Sequence, residues 1–505
     1  MTPRALLLGL AGAGLFVAAL DAYLVVTLLP AMISDVGLTI DRFEQATPIV
    51  TGFLCGYVIA MPLLGAYSDV RGRAPVYAIC VAVFAAGSAV TATAGLLNVP
   101  GMPWLVTGRV LQGLGGGGLV PLSLALAADL YGNGGRAVAL GAVSGLQEAG
   151  SVFGPLYGAT IAAAASALGG WRFVFWLNLP LAATCGLGLL VASRNTTKAP
   201  ARQESAQESA VDWRSASLLG LGLGLLVLAL YPDDPTQRAT NGLVIPLGIL
   251  SLLVLVFYGR RQVRSLEPLI PRDLLRSRRF LGVCGANLII GAALMVALVD
   301  VPILGRLVFN LDQLASGLLL TQFLLGVPVG AVIGGLLAGR VGGRTTAVLG
   351  MLCSAAAFVQ MSGWQAGELA LRLGPIRPAD IALGACGLGF GIVIAPLTAA
   401  VLDLTRAQNH GLASSLVVLA RVMGMLIGLS ALTAFGLFRF RQILGTPLLT
   451  DPDVRARVDH LARLVAAAFL QEYREIFTIA AGLCVLAALV ILLTLGRAPA
   501  QGVNA

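Results

Sequence analysis

Apolar runs of helical length recur along the 505-residue chain, separated by short polar loops. A membrane span needs about 20 predominantly apolar residues. On that measure the pattern predicts fourteen helices, at 5–30, 46–66, 75–97, 103–130, 137–165, 171–193, 215–231, 242–259, 281–305, 313–338, 345–363, 379–403, 411–436 and 475–496. They group as six, two and six. The first gap holds "RNTTKAPARQESAQESAVDWR", residues 194–214, too hydrophilic to enter a bilayer. The second holds "GRRQVRSLEPLIPRDLLRSRRF", 259–280, a basic amphipathic connector suited to an anionic membrane surface. The predicted organisation is an all-α membrane protein in three parts: a six-helix bundle over 1–193, a linker with two inserted spans over 194–280, and a second six-helix bundle over 281–505.

Composition makes lipid the solvent. The chain is 57% apolar and 11% charged, with a mean hydropathy of +0.89, whereas soluble domains carry about 25% charged residues. The net charge of +9 marks no nucleic-acid surface. Its arginines and lysines fall in alternate loops: Arg71 and Arg73, Arg136, Arg194 and Lys198, the 259–280 connector, Arg340 and Arg344, Arg406 and Arg497. The positive-inside rule puts those loops and both termini in the cytoplasm, in the cell's inner (plasma) membrane. The first apolar run contains Asp21 and lacks a cleavage-like end, so it reads as a first span and not a removable signal. Seven cysteines lie singly in apolar segments without metal or pairing spacing, and His410 and His460 are too isolated for a metal site. "GLGGGG", 113–118, lacks the Lys-Ser/Thr of a phosphate-binding loop. No cofactor or enzyme constellation is expected; a gradient, of protons, is the expected energy source.

Charges inside the apolar runs carry the chemistry. "SGLQEAGSVFGPLYG", 144–158, places Glu148 about 18 Å along its helix from Arg136, near mid-membrane. Arg421 lies about 16 Å in from His410, at matching depth. Asp21 and Arg109 share the outer half of their spans. Buried charges need partners, so depth predicts two pairs, Glu148 with Arg421 and Asp21 with Arg109. A carboxylate that apolar surroundings neutralise and a nearby cation ionises can carry a proton, which Glu148 fits best and Asp21 next. The competing reading is a static clamp, and for Arg109 the two readings weigh equally. Asp300 in "ALVDVPILGR" is expected to be an interfacial, solvated carboxylate, with an outer-gate role second. Gly150, Gly154 and Gly158 share one helix face and allow close packing, and Pro155 beside them offers a hinge.

The two halves echo each other. "GAYSDVRGR", 65–73, and "GLLAGRVGGR", 335–344, follow the second span of each six-helix group, and duplicated six-helix halves are a transporter architecture. Gly65, Asp69, Gly72 and Arg73 match the loop between helices two and three of the major facilitator superfamily, with Tyr67 and Val70 departing from it. Arg109, Gln112 and Gly113 match its fourth-helix motif. "GSVFGPLYGA", 150–159, matches the fifth-helix motif of its exporters, with Ala159 replacing the last glycine, and Asp21 and Pro30 match the first-helix motif. The chain thus resembles that superfamily's 14-span drug:proton antiporters. The resemblance implies that Asp69 and Arg73 latch the cytoplasmic helix ends.

"DAYLVVT", "QEAGSVFGPLYG", "GAALMVALVDV", "ARVMGMLIGLSAL" and "FRFRQIL" carry a narrower resemblance, to the mycobacterial triacylglyceride exporters that work with a periplasmic lipid-binding lipoprotein. It implies a lipid substrate, such a partner and contact with membrane lipids; a monomer is expected. The end of the chain points the same way. Uninterrupted helical stretches over 411–444 and 453–495 would reach about 50 and 64 Å, beyond a hydrocarbon core of about 30 Å. The excess, about 437–474, forms a hairpin past the outer leaflet, with Val454, Val458, Leu461, Val465 and Leu470 at helical spacing. A departing lipid needs such shelter. The expected function is proton-coupled lipid export, with multidrug efflux on the same fold as the alternative.

Overall fold

The structure is a computed structural model that describes residues 3–35, 47–96, 101–131, 135–166, 169–195, 212–231, 242–265, 268–311, 315, 318–365, 367–370, 377–406, 409–444 and 454–495. All long elements among them are helices: α1 (Pro3–Asp35), α2 (Thr47–Arg71), α3 (Arg73–Ala92), α4 (Gly101–Leu130), α5 (Arg136–Ala164), α6 (Trp171–Asn195), α7 (Trp213–Leu230), α8 (Val244–Arg264), the short α9 (Arg272–Arg276), α10 (Arg278–Leu307), α11 (Thr321–Val341), α12 (Gly343–Ser362), α13 (Pro378–Leu402), α14 (His410–Leu444) and α15 (Val454–Thr494). Thirteen of these are long and apolar enough to cross a membrane. That is one fewer than the hydropathy pattern predicts. The odd one is α5, helical for 29 residues but diluted by glycines, Gln147 and Glu148. Its polarity is tolerable because its glycine-rich faces pack against α1 and α11.

The internal repeat extends to helix pairing. In the first half α2 packs on α4, α1 on α5, and α3 on α4 and α6. In the second, α11 packs on α13, α10 on α14, and α12 on α13 and α15. The turns of the two echoed loops also match. Gly72 (φ 94°, ψ 153°) and Gly342 (φ 88°, ψ 144°) each precede the next helix in a conformation that a side chain would strain. The halves meet mainly along α2 with α14 and α5 with α11. Glycine permits the first approach: a Cβ on Gly65 would fall 2.6 Å from the Gly411 carbonyl oxygen.

The inserted helices α7 and α8 pack on each other, and α7 also lies along α2. Asp212 caps α7 through the Ser215 amide and pairs with Arg261 of α8. Burial pushes the Asp212 carboxyl up, but hydrogen bonds from Ser215 and Arg261 outweigh it and hold it below the usual carboxylate range. The end of α7 reaches the second half, where Ser430 Oγ donates to the Leu230 carbonyl at 2.6 Å. Outward, α8 exposes Ile245, Leu252, Leu253 and Phe257, a face that only hydrocarbon would solvate well.

Helices α14 and α15 are 35 and 41 residues long, about 52 and 62 Å at the α-helical rise. Arg439 grips Glu475 through two hydrogen bonds of 2.6 and 2.8 Å, and Phe440 stacks on Phe469 with centroids 4.3 Å apart. These contacts pair the two helices antiparallel in the region expected to form the outer hairpin. Residues 445–453 and the side chains of 454–463, with Val458 and Leu461 of the predicted stripe, lie outside the described residues. So do Lys198, Arg497 and the polar stretch from 196 to 211.

Candidate functional site

Two of the predicted ion pairs form, in different settings. The first sits wholly inside the first half. Arg109 NH1 of α4 donates to Asp21 Oδ2 of α1 at 2.7 Å. Oδ1 of Asp21 accepts from Gln112 Nε2 and Asn178 Nδ2, both at 2.8 Å. Gln112 and Asn178 are in turn tied to Ser88 of α3, and the guanidinium lies 4.4 Å from the Phe53 ring centroid. Asp21 is 0% and Arg109 1% exposed. A carboxylate with three donors and a cation with a counter-charge satisfy each other, which is the condition for burying both.

The second pair spans the halves. Arg421 NH2 of α14 reaches Glu148 Oε1 of α5 at 3.4 Å, with the side chains 10% and 19% exposed. That contact is long for a charge-assisted hydrogen bond. Tyr23 of α1 and Tyr57 of α2 feel both charges. Beside Arg421, towards the arginine-rich end, lies a small pocket lined by Ser144, Gln147, Asn287 and Thr398, with Val417 and Val418 among its apolar walls.

A third cluster closes the arginine-rich end. Asp69 accepts from the backbone amides of Gly411 and Leu412, both at 2.9 Å, at the start of α14. It is also paired with Arg73, whose guanidinium bonds Ser68 Oγ at 2.7 Å and Asp129 Oδ2 at 3.0 Å. Asp129 Oδ1 in turn lies 2.8 Å from Nδ1 of His410. An amide-rich helix start is a natural anion site, so α2 and α4 together hold the end of α14. Gly65 and Gly72 shape the approach and the turn beside this cluster. Asp129 and His410 escaped the sequence reading, which gave His410 no chemistry. Their partnership joins positions 281 apart in sequence, and no local spacing signals it. Across the other seam, Arg136 of α5 pairs with Asp403 at the end of α13.

The remaining expected residues fall as follows. Gly150, Gly154 and Gly158 form the buried face of α5 that receives the α1 backbone, and the Pro155 carbonyl accepts from Thr27 Oγ1 at 3.1 Å. Asp300 is a correction. It is half-buried and interacts electrostatically with Glu472 of α15 instead of standing solvated at an interface. The reason is that α15 packs along α10 and covers Asp300, which lies about 10 Å inside the helix end at Leu307. Among the described residues, no cluster of three potential metal ligands occurs.

Paired six-helix halves around a charged seam are the build of a transporter, and the chain belongs to the Major Facilitator Superfamily, whose family model matches residues 11–429. It is a multi-pass membrane transporter and not an enzyme. Its relatives make the kinship narrower. The chain is 39% identical to the triacylglyceride transporter of Mycolicibacterium hassiacum, over 98% of this chain and 93% of that one. It is 40% identical to the triacylglyceride transporter of Mycobacterium tuberculosis, over 95% and 92%. Two solved structures share the fold. The human organic anion transporter MFSD10 has a TM-score of 0.62 at 18% identity, covering 97% of this chain and all (100%) of that one. The proton:xylose symporter XylE has a TM-score of 0.59 at 15% identity, covering 97% and 95%.

Proposed function

We propose that this transporter exports a triacylglyceride-like lipid from the cell's inner (plasma) membrane, driven by protons. The observation that carries the substrate is the near-full-length similarity, 39–40% identical, to proteins named triacylglyceride transporters. The long α14–α15 pair supports it, because a cargo that cannot enter water benefits from an apolar path beyond the bilayer. Each methylene exposed to water costs about 0.8 kcal/mol, so even part of an acyl chain presents a steep barrier.

In this reading the arginine-rich end and both termini face the cytoplasm, and the Asp69–Arg73–Asp129 cluster is the inner latch. Glu148 is the proton carrier. Its protonation removes the charge that holds Arg421 and so weakens the one mid-depth ionic link described between the halves. The halves then rock about the seam. Asp21 and Arg109 clamp the first half, and Asp300 acts at the outer gate. The protein works as a monomer, and a periplasmic lipid-binding lipoprotein receives the lipid.

The test is transport of labelled triacylglyceride and of a cationic dye, side by side, in proteoliposomes with and without a pH gradient. Gradient-dependent movement of the lipid supports the proposal. Movement of the dye alone would replace lipid export by drug efflux. Exchanging residues 440–470 for a short flexible linker should stop lipid transfer and leave insertion intact.

A further inference from the structure

Arg421 poses a question that the Glu148 contact answers for only one protonation state. A guanidinium has five N–H donors and no acceptor, and the Arg421 side chain is 10% exposed. While Glu148 is ionised, it supplies the counter-charge. Once Glu148 takes up a proton, a buried cation is left without one, at a cost of several kcal/mol unless other groups accept its hydrogens. The structure places such groups next to it. The pocket beside Arg421 is lined by Ser144 and Gln147 of α5, Asn287 of α10 and Thr398 of α13.

The local hydrogen bonds of these residues leave their oxygens with capacity to accept. Asn287 Nδ2 donates to the Val283 carbonyl of its own helix at 3.0 Å, leaving its carbonyl oxygen to accept. Thr398 Oγ1 spends its hydrogen on the Ile394 carbonyl at 2.9 Å, leaving lone pairs. Ser144 and Gln147 add a hydroxyl and an amide oxygen. Ser144, Asn287 and Thr398 are all buried, in surroundings where an apolar side chain of similar size would pack without cost. Four acceptor-bearing side chains from three helices, drawn from both halves, thus line one small pocket together with the cation.

We propose that the oxygens lining this pocket are a second berth for the N–H donors of Arg421, which already borders it, engaged when Glu148 is protonated. Ser144, Gln147, Asn287 and Thr398 are then positioning residues that set how readily Glu148 accepts its proton. The inference rests on the reading of Glu148 as the proton carrier. The other titratable groups facing the pair are Tyr23 from α1 and Tyr57 from α2. Neither supplies an anion near neutral pH, so neither replaces the lost carboxylate. The pocket's contributions from α4, α10 and α13 are uncharged.

The direction of the effect follows. Removing acceptors from the berth destabilises only the state with Glu148 protonated, so proton uptake should require more acid. The test follows the infrared carbonyl band of a protonated carboxylic acid in the reconstituted full-length protein during a pH titration. Glu148→Gln identifies the band by abolishing it. In Asn287→Leu the midpoint should fall by about one pH unit, the equivalent of about 1.4 kcal/mol. Ser144→Ala, which removes one hydroxyl with little risk to folding, should shift it the same way by less. Asn287→Gln, which keeps an acceptor, should restore most of the wild-type midpoint. Midpoints in Asn287→Leu and Ser144→Ala equal to wild type would overturn the berth and leave Glu148 as carrier intact. If no band sensitive to Glu148→Gln titrates at all, the carrier reading fails and the berth with it.

Discussion

Two acid–arginine pairs lie inside the helix bundle, and they differ in build. Asp21 and Arg109 belong to one half, meet at 2.7 Å, and are sealed from solvent, with Gln112 and Asn178 completing the carboxylate's shell. Glu148 and Arg421 belong to different halves, meet at 3.4 Å, keep some exposure, and have Tyr23, Tyr57 and a pocket of acceptors as their neighbours. A pair whose carboxylate already accepts from three donors gains nothing by breaking. In the proposed cycle, one proton breaks the stretched pair across the seam, and breaking it frees the halves. In the reading proposed above, the number of neutral donors around the carboxylate separates a clamp from a switch.

The sharpest contrast should come from stability. Arg109→Ala leaves Asp21 buried without its counter-charge and should cost about 3–5 kcal/mol, the usual penalty for breaking a buried pair. Thermal unfolding of the purified protein in detergent measures it; a loss below about 1 kcal/mol would mean that Asp21 is protonated or hydrated and the pair is no clamp. Glu148→Gln should do the reverse, leaving the unfolding midpoint close to wild type while abolishing gradient-driven transport. Transport at the wild-type rate with unchanged pH dependence would remove Glu148 from the coupling role.

Next in size is the coupling across the seam. Arg421→Ala should slow transport as much as Glu148→Gln, and the double variant should be no slower than the slower single one, because residues acting as a unit lose their effect once. Additive losses would show that the pair does not act together. The smallest effect expected is at the inner latch. His410→Ala removes one hydrogen bond to Asp129 and should weaken the closed state by about 1 kcal/mol. The readout is faster labelling of a cysteine placed at Ser414 by a hydrophilic thiol reagent, above the background of the native cysteines. Labelling no faster than in the parent would make His410 a bystander.

How far these features could be read in advance depends on how local their causes are. Spans follow from runs of apolar residues, and α5 strays from the rule because its glycines and Glu148 serve packing and the seam instead of lipid. Pairing of Asp21 with Arg109 and Glu148 with Arg421 was legible because depth is linear in residue number along a helix and buried charges must be matched. Asn178 was not legible as a partner of Asp21, nor Asp129 of His410: an amide can be satisfied by many partners and a helix-end carboxylate by water, so only the folded chain shows what they touch. Asp300 was misplaced because nothing in its neighbourhood in sequence marks where α15, more than 150 residues later, packs against α10 and brings Glu472 near it.

The matching turns at Gly72 and Gly342 have a mechanical consequence. Superposing the two loops on these glycines sets Asp69 opposite Gly339 and Arg73 opposite Gly343, so the second loop keeps the bend and lacks the bolt. The α2–α14 seam is fastened by a carboxylate on two amides. The α5–α11 seam relies on close packing around Gly141 and Gly335 and on Arg136 with Asp403, the latter 59% exposed and correspondingly weak. In the proposed rocking, an edge held by helix packing and an edge held by a carboxylate on two amides need not part together.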